Sequence, residues 1–421
     1  MPTPTNLTIN GARLWDSLME LAKIGATEKG GVCRLTLTDL DKQARDLFAA
    51  WCKAAGATIT VDRLGNVFAR RAGRDPKRAP VMTGSHIDTQ PTGGKFDGAY
   101  GVMAGLEVLR TLHETGIETE APIEVAVWTN EEGSRFAPAM IASGVFGGVF
   151  TRDWAAARAD RAGVRFGEAL EAIGYRGPER CGAHPLSAFF ELHIEQGPIL
   201  EAEAKQIGVV TGVQGMRWFE ATIIGQESHT GTTPMDRRKN ALLGAARLVE
   251  RIDAIARANP PLAVGTVGLI EVKPNSRNVV PGEVFLTIDL RHPETAVLDA
   301  MEQAVMQAAR EVCDPFGLAG TVSKIWDEPP TRFDPGCIAA VRRAAETSGY
   351  SFRDMVSGAG HDSVYVARVA PAAMIFVPCR DGISHNEAEF SSKEQCAAGA
   401  QVLLQAVLDY DRQLAERSRG G

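Results

Sequence analysis

Hydrophobic residues along the first two hundred positions fall into short runs that are separated by stretches with helical spacing. Residues 80–83 and 123–129 are short segments, rich in Val and aromatic residues, of the kind that form buried strands. Residues 102–113, between them, have the spacing of a helix, and Gly116 provides a stop signal. This strand–helix–strand alternation predicts an α/β fold with a mostly parallel sheet and helices on both faces.

The pattern changes in the middle of the chain, where residues alternate as in a half-buried strand. Val284, Leu286, Ile288 and Leu290 fall on one face of such a strand. The predicted elements follow one another as strand 217–224, helix 239–257, strand 264–272, strand 283–290, helix 294–313 and strand 320–326. This β-α-β-β-α-β order predicts a small ferredoxin-like domain.

The first pattern resumes after Pro329 and Pro330. A helix is predicted at 338–348, a strand at 372–377 and a helix at 393–414. We therefore predict that residues 1–213 and 329–421 form one α/β catalytic domain, and that residues 214–328 are inserted into it as a second domain.

Composition and charge limit the kinds of molecule or membrane that the protein is expected to bind. The net charge of −7 and the lack of a long basic block argue against a nucleic acid partner. No run of about 18 apolar residues occurs, so no membrane span is expected. The seven cysteines include no CxxC pair, and the first residues lack the features of a signal peptide. We therefore expect free thiols and a cytoplasmic location.

Polar residues near the predicted strand ends are the candidate functional groups. Burying histidines and carboxylates is costly unless they are paired or bind a metal. In open α/β sheets, sites form at the carboxyl ends of the strands. A hydrolytic centre with two metal ions explains the largest number of these residues, and its candidate ligands are His86, Asp97, Glu132, His193 and His385.

Neighbouring residues suggest how such a centre would work. Asp97 lies in a glycine-rich loop and has two oxygens, enough to bridge two cations about 3.5–4 Å apart. Glu131 is a candidate general base, and Asp88 is a candidate to orient the ring of His86. Nitrogen and oxygen ligands without thiolates favour zinc, with manganese, cobalt or nickel as alternatives. No compact motif such as HExxH is present, so spacing alone also allows ordinary hydrogen-bonding and turn roles.

Several segments that contain the candidate residues occur in order over nearly the whole chain: TGSHIDTQPTGGKFDGAYGV, TNEEGSRF, ELHIEQGP, ESHTGTTPMDRRKNAL, NVVPGEVFLTIDLRHPE, and SGAGHD followed by SHNEAEF. Together they resemble the hydantoinase/carbamoylase family of dinuclear-metal amidohydrolases, in the superfamily of zinc aminoacylases and carboxypeptidases. That family includes N-carbamoyl-L-amino acid hydrolases, β-ureidopropionases and allantoate amidohydrolases.

The resemblance implies a role for each candidate residue. The five ligands would hold two divalent metal ions with Asp97 as the bridge, Glu131 would be the catalytic base, and Asp88 would support His86. The residues implied to bind the substrate are Gln196, His229, Asn278, Arg291 and Gly360.

Two of these residues have side chains that suit their implied roles. His229 can also assist catalysis by donating to the oxyanion that forms on the attacked carbonyl. Arg291 offers a planar two-point donor for a substrate carboxylate. The inserted domain is implied to act as a lid and to form a homodimer. In that dimer His229, and sometimes Asn278 and Arg291, would reach the neighbouring subunit's site.

We therefore expect hydrolysis of a small ureido compound. The predicted reaction cleaves the carbamoyl C–N bond of an N-carbamoyl-L-amino acid and gives the amino acid, carbon dioxide and ammonia. Allantoate amidohydrolase and β-ureidopropionase share the catalytic set and stay as alternatives. A dipeptidase or aminoacylase has a similar metal core, but Gln196 and the TNEEGSRF segment argue against it. A non-catalytic binding protein would lack a ligand or the base, and all six residues are present here.

Overall fold

Residues 7–182 and 184–419 are described by the computed structural model of the chain. They divide into two compact units. The first, which we call the catalytic unit, comprises the residues up to Thr211 and those from Phe333 onward. The second, the inserted unit, is Gly212–Arg332. These limits lie within a few residues of the expected 214 and 328.

The helices and strands of the described residues are numbered here in chain order. The helices are α1 (Gly11–Leu21), α2 (Asp39–Ala54), α3 (Ala99–Thr115), α4 (Ile141–Phe146), α5 (Arg152–Ala156), α6 (Phe166–Ala172), α7 (Ile199–Ala202), α8 (Ala241–Arg257), α9 (Thr295–Cys313), α10 (Pro335–Thr347), α11 (Asp362–Val366) and α12 (Lys393–Arg419). The strands are β1 (Thr58–Val61), β2 (Val67–Arg71), β3 (Val81–His86), β4 (Ile123–Trp128), β5 (Ala188–Ile194), β6 (Ile207–Val213), β7 (Gly215–Ile224), β8 (Ser228–His229), β9 (Val264–Lys273), β10 (Val279–Val280), β11 (Glu283–His292), β12 (Ala319–Glu328), β13 (Thr331–Arg332), β14 (Phe352–Ser357) and β15 (Ala372–Val377).

The sheet of the catalytic unit has a parallel centre. Its strand order is β1-β2-β4-β3-β5-β15-β6, and β14 pairs with β6. The four central strands, β4, β3, β5 and β15, run parallel, whereas β1, β2 and β6 pair antiparallel at the sides. Every residue of these four strands is buried, as expected for a parallel sheet covered on both faces. The α/β fold with a mostly parallel sheet is therefore confirmed.

Strand β5 directs its core residues to one face of the sheet and two polar residues to the other face. Successive side chains point to opposite faces. Phe190, Leu192 and Ile194 belong to the main hydrophobic core, which also contains residues of α3, α10 and α12. Glu191 and His193 occupy the alternate positions of the strand, so both polar groups lie on the other face.

The inserted unit contains a four-stranded antiparallel sheet in the order β12-β7-β11-β9. With helices α8 and α9 between its strands in the chain, this is the predicted ferredoxin-like arrangement. One face of β11 (Val284, Leu286, Ile288 and Leu290) packs with residues of α8 and α9 in a separate core. The predicted alternation of β11 is therefore present in the structure.

Two of the element boundaries that differ from the sequence-based expectation lie next to candidate ligands. Strand β3 continues to His86 instead of ending near residue 83, so this histidine is the last residue of a buried strand. Helix α3 begins at Ala99, three residues earlier than expected, and ends before Gly116, whose φ of +65° forms a left-handed cap. In the described part of the chain, no helix has the length and apolar character required to cross a membrane.

Candidate metal centre

Three candidate ligands meet at the carboxyl ends of β3 and β5. The Nε2 atom of His193 lies 3.1 Å from Oδ1 of Asp97, and the Nε2 atom of His86 lies 3.7 Å from the same oxygen. One potential ligand atom from each of these residues lies within 4.8 Å of the others. We call this group the first ligand set.

A second set shares Asp97 with the first. The Nε2 atom of His385 lies 3.3 Å from Oδ2 of Asp97 and 3.4 Å from Oε2 of Glu132. The ligand atoms of these three residues also fall within 4.8 Å of one another. Because Asp97 directs one oxygen to each set, the five residues have the connectivity of a two-metal site with a bridging carboxylate.

The loop that carries Asp97 needs glycine where it passes the first ligand set. Gly98 has a φ of +62°, a conformation that residues with a side chain rarely adopt. A Cβ atom at this position would lie 2.4 Å from the ring of His86. The glycine-rich sequence around Asp97 therefore lets the backbone pass close to the histidine.

Asp88 holds the two glutamates in place after β4 ends. Its carboxylate accepts hydrogen bonds from the backbone N–H groups of Glu131 and Glu132, each at 3.3 Å. Asn130, just before them, has a φ of +63°, which turns the chain sharply. Oε2 of Glu131 lies 3.4 Å from Nε2 of His86, so the adjacent glutamates reach different ligand sets.

The expectation that the Asp88 carboxylate orients His86 needs a correction. The Nδ1 atom of His86 lies 2.9 Å from the backbone carbonyl of Asp88, whereas the carboxylate is 3.9 Å away. The main chain therefore fixes this ring, because the carboxylate is directed to the backbone of the two glutamates.

The histidine tautomers suit a metal ion. Nδ1 of His86 and Nδ1 of His193 each lie 2.9 Å from a backbone carbonyl, so these nitrogens carry the proton and donate it. In the neutral rings, the lone pairs of Nε2 then face the carboxylates of Asp97 and Glu131. Two groups of acceptors facing each other repel unless a positive charge lies between them. Without a metal ion, a proton supplies that charge at His193: burial lowers the pKa of this ring, but its hydrogen bond to Asp97 outweighs burial and raises the pKa to about 9. A metal ion would take the place of that proton, and metal-binding histidines commonly have this arrangement of Nδ1 and Nε2.

The buried charges of the pocket also indicate that these residues bind metal ions. Burial, followed by the charges of Asp362 and Glu132, raises the pKa of Glu131 well above its usual range. Burial lowers the pKa of His86 to about 4. In the described part of the chain, the ion-pair contacts of Asp97, Glu131 and Glu132 are with histidines alone. Bound cations would offset this concentration of buried negative charge, so the residues fit two divalent metal ions.

Sequence reasoning missed three side chains that support the ligands. The side-chain amide of Gln90 donates to Oε2 of Glu132 at 2.7 Å. The carboxylate of Glu389 accepts the backbone N–H groups of Phe96 and Asp97, both at 3.0 Å, and the hydroxyl of Ser384 at 2.8 Å. Glu389 therefore connects the Asp97 loop to the His385 loop. Its position in the SHNEAEF segment was the only available signal.

We predict that Glu389→Gln weakens metal binding. An amide lacks the charge and cannot accept from all three donors, so the two loops lose their common anchor. Loss of such a supporting contact lowers metal affinity by about 10–100-fold. Competition titration with a metal chelator measures this affinity directly.

Asp411→Asn is the matched control for Glu389→Gln. The Asp411 carboxylate is also buried and accepts two backbone N–H groups, those of Glu120 and Ala121, at 2.8 and 2.7 Å. This control should lower stability without changing metal affinity. Equal metal affinities for Glu389→Gln and the unmodified protein would contradict the prediction.

Gln196 and Gly360 lie in the catalytic unit. The side-chain amide of Gln196 donates to Oδ2 of Asp97 at 3.0 Å and to Ser384 Oγ at 3.1 Å, so it lies at the second ligand set. Gly360 precedes α11, and a Cβ atom there would lie 3.1 Å from the terminal methyl of Met140. The backbone N–H of Met140 in turn donates to the carbonyl of Glu131 at 2.8 Å.

His229 and Asn278 are neighbours in the inserted unit. The pairing of β8 with β10 places His229 opposite Val279, although the two residues are 50 positions apart. Nδ1 of His229 accepts the backbone N–H groups of Gly231 and Thr232 at 2.9 and 3.2 Å. The proton of the neutral ring is therefore on Nε2, which makes this exposed nitrogen a hydrogen-bond donor.

Arg291 lies in the four-stranded sheet, at the end away from the separate two-stranded sheet formed by β8 and β10. It pairs with Met216 on β7, whereas Glu283 at the start of β11 pairs with Ile224, next to β8. Eight residues of extended strand separate Glu283 from Arg291, a distance of about 27 Å. Within one chain, His229 and Arg291 are therefore too far apart to contact one small molecule.

A parallel α/β sheet with two histidine–carboxylate sets at its carboxyl edge, joined by one aspartate, defines a candidate dinuclear metallohydrolase. Comparison with known proteins shows the family to which the chain is related. Residues 82–409 match the profile of peptidase family M20/M25/M40. A solved amidase of the hydantoinase/carbamoylase family from Burkholderia multivorans superposes with a TM-score of 0.94, at 59% identity and over 96% of this chain and 98% of that one.

Two curated relatives narrow the position within the family. The N-carbamoyl-L-amino-acid amidohydrolase of Rhizobium meliloti is 53% identical over 96% of this chain and 97% of its own. The allantoate amidohydrolase of Bacillus subtilis is 36% identical over 92% and 95%. This chain belongs to peptidase family M20/M25/M40 and, within it, to the hydantoinase/carbamoylase family.

Proposed function

We propose that this protein is a metal-dependent amidohydrolase that cleaves the carbamoyl C–N bond of N-carbamoyl-L-amino acids. The observation that carries the proposal is the pair of ligand sets that share Asp97, with Glu131 directly beside them. The 53% identity to a protein named for this reaction supports the substrate class. The products are the free amino acid, carbon dioxide and ammonia.

Each residue has a defined task in the proposed reaction. His86, Asp97, Glu132, His193 and His385 would hold two divalent ions, zinc first and manganese, cobalt or nickel as alternatives. When bound, these ions would polarise the substrate carbonyl and make water more acidic. Glu131 takes a proton from the attacking water on its carboxylate and passes it to the nitrogen that leaves. Nε2–H of His229 donates to the oxygen on which negative charge develops.

The remaining candidate residues bind the substrate in this proposal. Arg291 pairs with its carboxylate, and Asn278 donates to the same group. Gln196, at the second ligand set, contacts the ureido nitrogen, and Gly360 gives the substrate room beside Glu131. Asp88 keeps the backbone of Glu131 in position.

A turnover panel after metal reconstitution tests the substrate class. The panel contains N-carbamoyl-L-amino acids, N-carbamoyl-β-alanine and allantoate, with ammonia release as the readout, and simple dipeptides assayed by amino acid release. We expect the highest kcat/KM with an N-carbamoyl-L-amino acid and no cleavage of dipeptides. A higher kcat/KM for allantoate would instead assign the allantoate reaction, for which the Bacillus subtilis relative is named.

We also propose that the protein is a homodimer formed through the inserted unit. Strand β9 is an edge strand of ten residues with exposed apolar side chains, among them Leu269 and Ile270. Long apolar edges are usually covered, because they pair readily with another strand. The separation of His229 from Arg291 supports the same conclusion, since one substrate can contact both only if they come from different copies.

Mixing two inactive variants tests the dimer. Unfolding and refolding His229→Ala together with Arg291→Ala should restore about a quarter of the wild-type activity. Half of the dimers formed at random are mixed, and each mixed dimer has one site with both residues intact. Each variant refolded alone is the control. Failure of the mixture to exceed the separate variants would show that both residues serve the same copy's site or none.

A cytoplasmic location is the last part of the proposal. All seven cysteines are free thiols in the structure. Five of them are buried. Free thiols are typical of proteins in a reducing compartment.

A further inference from the structure

The outer face of the inserted sheet carries an apolar patch around Arg291. One face of this sheet is covered by α8 and α9, whereas the opposite face exposes Trp218, Val264 and Ile325 by 40%, 49% and 50%. These side chains border a shallow groove of about 550 Å³, which Asp289 and Arg291 also line. Large apolar groups exposed together usually mark a binding surface.

The strand register places these residues side by side. Asp289 lies directly opposite Trp218, and Arg291 lies opposite Met216 on one side and Val264 on the other. Trp218 is therefore a diagonal neighbour of Arg291, within reach of a large side chain. The groove thus combines an aromatic wall with a guanidinium group.

The guanidinium is held in a fixed orientation. Nε and Nη2 of Arg291 donate to the Asp289 carboxylate, with the shortest distance 2.8 Å. Since Asp289 and Arg291 lie two residues apart on one strand, both side chains are on the outer face. The plane of the guanidinium is therefore set before any ligand arrives, which reduces the ordering cost of binding.

We propose that this groove is the subsite for the side chain of the substrate, and that Trp218 makes the enzyme prefer bulky apolar side chains. The inference rests on the proposed function, because it takes the substrate carboxylate to be paired with Arg291. A cation beside an apolar wall complements an α-amino acid derivative, whose carboxylate and apolar side chain leave the same carbon. A volume of about 550 Å³ is in the range of small-molecule sites.

The alternative occupant of this face is a second copy of the chain. Edge pairing through β9 extends the sheet within its plane and leaves the outer face uncovered. The charged pair formed by Asp289 and Arg291 lies within the patch. A second copy seated on this face would take both charges out of water, which is costly, whereas a small ligand would leave the pair partly hydrated. The position of the pair therefore favours a small ligand.

The test compares Trp218→Ala with the unmodified, metal-reconstituted enzyme on N-carbamoyl-L-phenylalanine and N-carbamoylglycine. We expect kcat/KM for the phenylalanine derivative to fall by about 10–100-fold, mainly through KM, because an apolar contact of this size is lost. The glycine derivative has no side chain, so its kcat/KM should change by less than about twofold. Trp218→Phe should retain most of the preference.

Ile224→Ala is the matched control. Ile224 lies on the same strand and the same face, six residues from Trp218, and is 42% exposed. Its replacement should alter neither substrate. Equal losses for both substrates in Trp218→Ala would overturn the inference, and so would a changed oligomeric state with unchanged selectivity, which would mean that a second copy covers the patch. If the unmodified enzyme cleaves neither compound, the proposed function fails together with the inference.

Discussion

Replacing Glu131 by glutamine is expected to lower kcat by about 10²–10⁴-fold, because the amide cannot take a proton from water. The adjacent Glu132 differs from Glu131 in the ligand set that it contacts. Glu131 faces His86 in the first ligand set, whereas Glu132 contacts His385 in the second. Glu131→Gln should therefore keep both metal ions, so that the loss is one of turnover alone. Steady-state kinetics together with metal analysis of the same sample measure both properties.

Glu132→Gln is the matched control for this prediction. It makes the same chemical change one residue away, but it removes a ligand. We expect this variant to lose metal from the second ligand set. Full activity in Glu131→Gln would reject Glu131 as the base, and loss of metal from that variant would make it a ligand instead.

The second large effect is expected at Asp97. Burial raises the pKa of this carboxyl, but the contacts with His193 and His385 outweigh it and hold the pKa well below its usual range. The carboxylate therefore stays ionised and presents one oxygen to each ligand set. Asp97→Asn should abolish turnover and leave less than one metal ion per chain, because an amide cannot bridge two cations through charged oxygens.

His385→Ala is the comparison that tests whether Asp97 binds both ions. His385 belongs to the second ligand set alone, so its loss should leave one ion in the first set. Metal analysis after gel filtration distinguishes the two variants. If Asp97→Asn and His385→Ala retained equal amounts of metal, Asp97 would serve one ion only.

The sequence predicted the architecture well because two patterns of hydrophobic residues were clear. The run at β4, apolar except for Glu124, the fully apolar run at β15 and the alternating run at β11 distinguish buried parallel strands from a half-covered antiparallel sheet. The positions of the candidate ligands followed from strand ends, since parallel strands bring their carboxyl ends to one edge. The bounds of β3 were less accurate, because Gly84 and Ser85 interrupt its apolar run.

The sequence could not reveal contacts that depend on the folded loops. Glu389 resembles a solvated glutamate in a polar segment, and its partners Phe96 and Asp97 are nearly 300 residues away. Whether Asp88 uses its carbonyl or its carboxylate towards His86 depends on the turn after β3, which no local pattern specifies. The roles of His229 and Arg291 came from family resemblance, whereas their placement in two separate sheets, far apart along the strands, came from the structure.

The most direct test of the two-metal account is a crystal structure of the reconstituted enzyme with anomalous scattering measured at the absorption edge of the metal. The account predicts two anomalous peaks, one beside His86 and His193 and the other beside Glu132 and His385, with Asp97 coordinating both. A single peak at full metal saturation, or two peaks of which only one contacts Asp97, would contradict it.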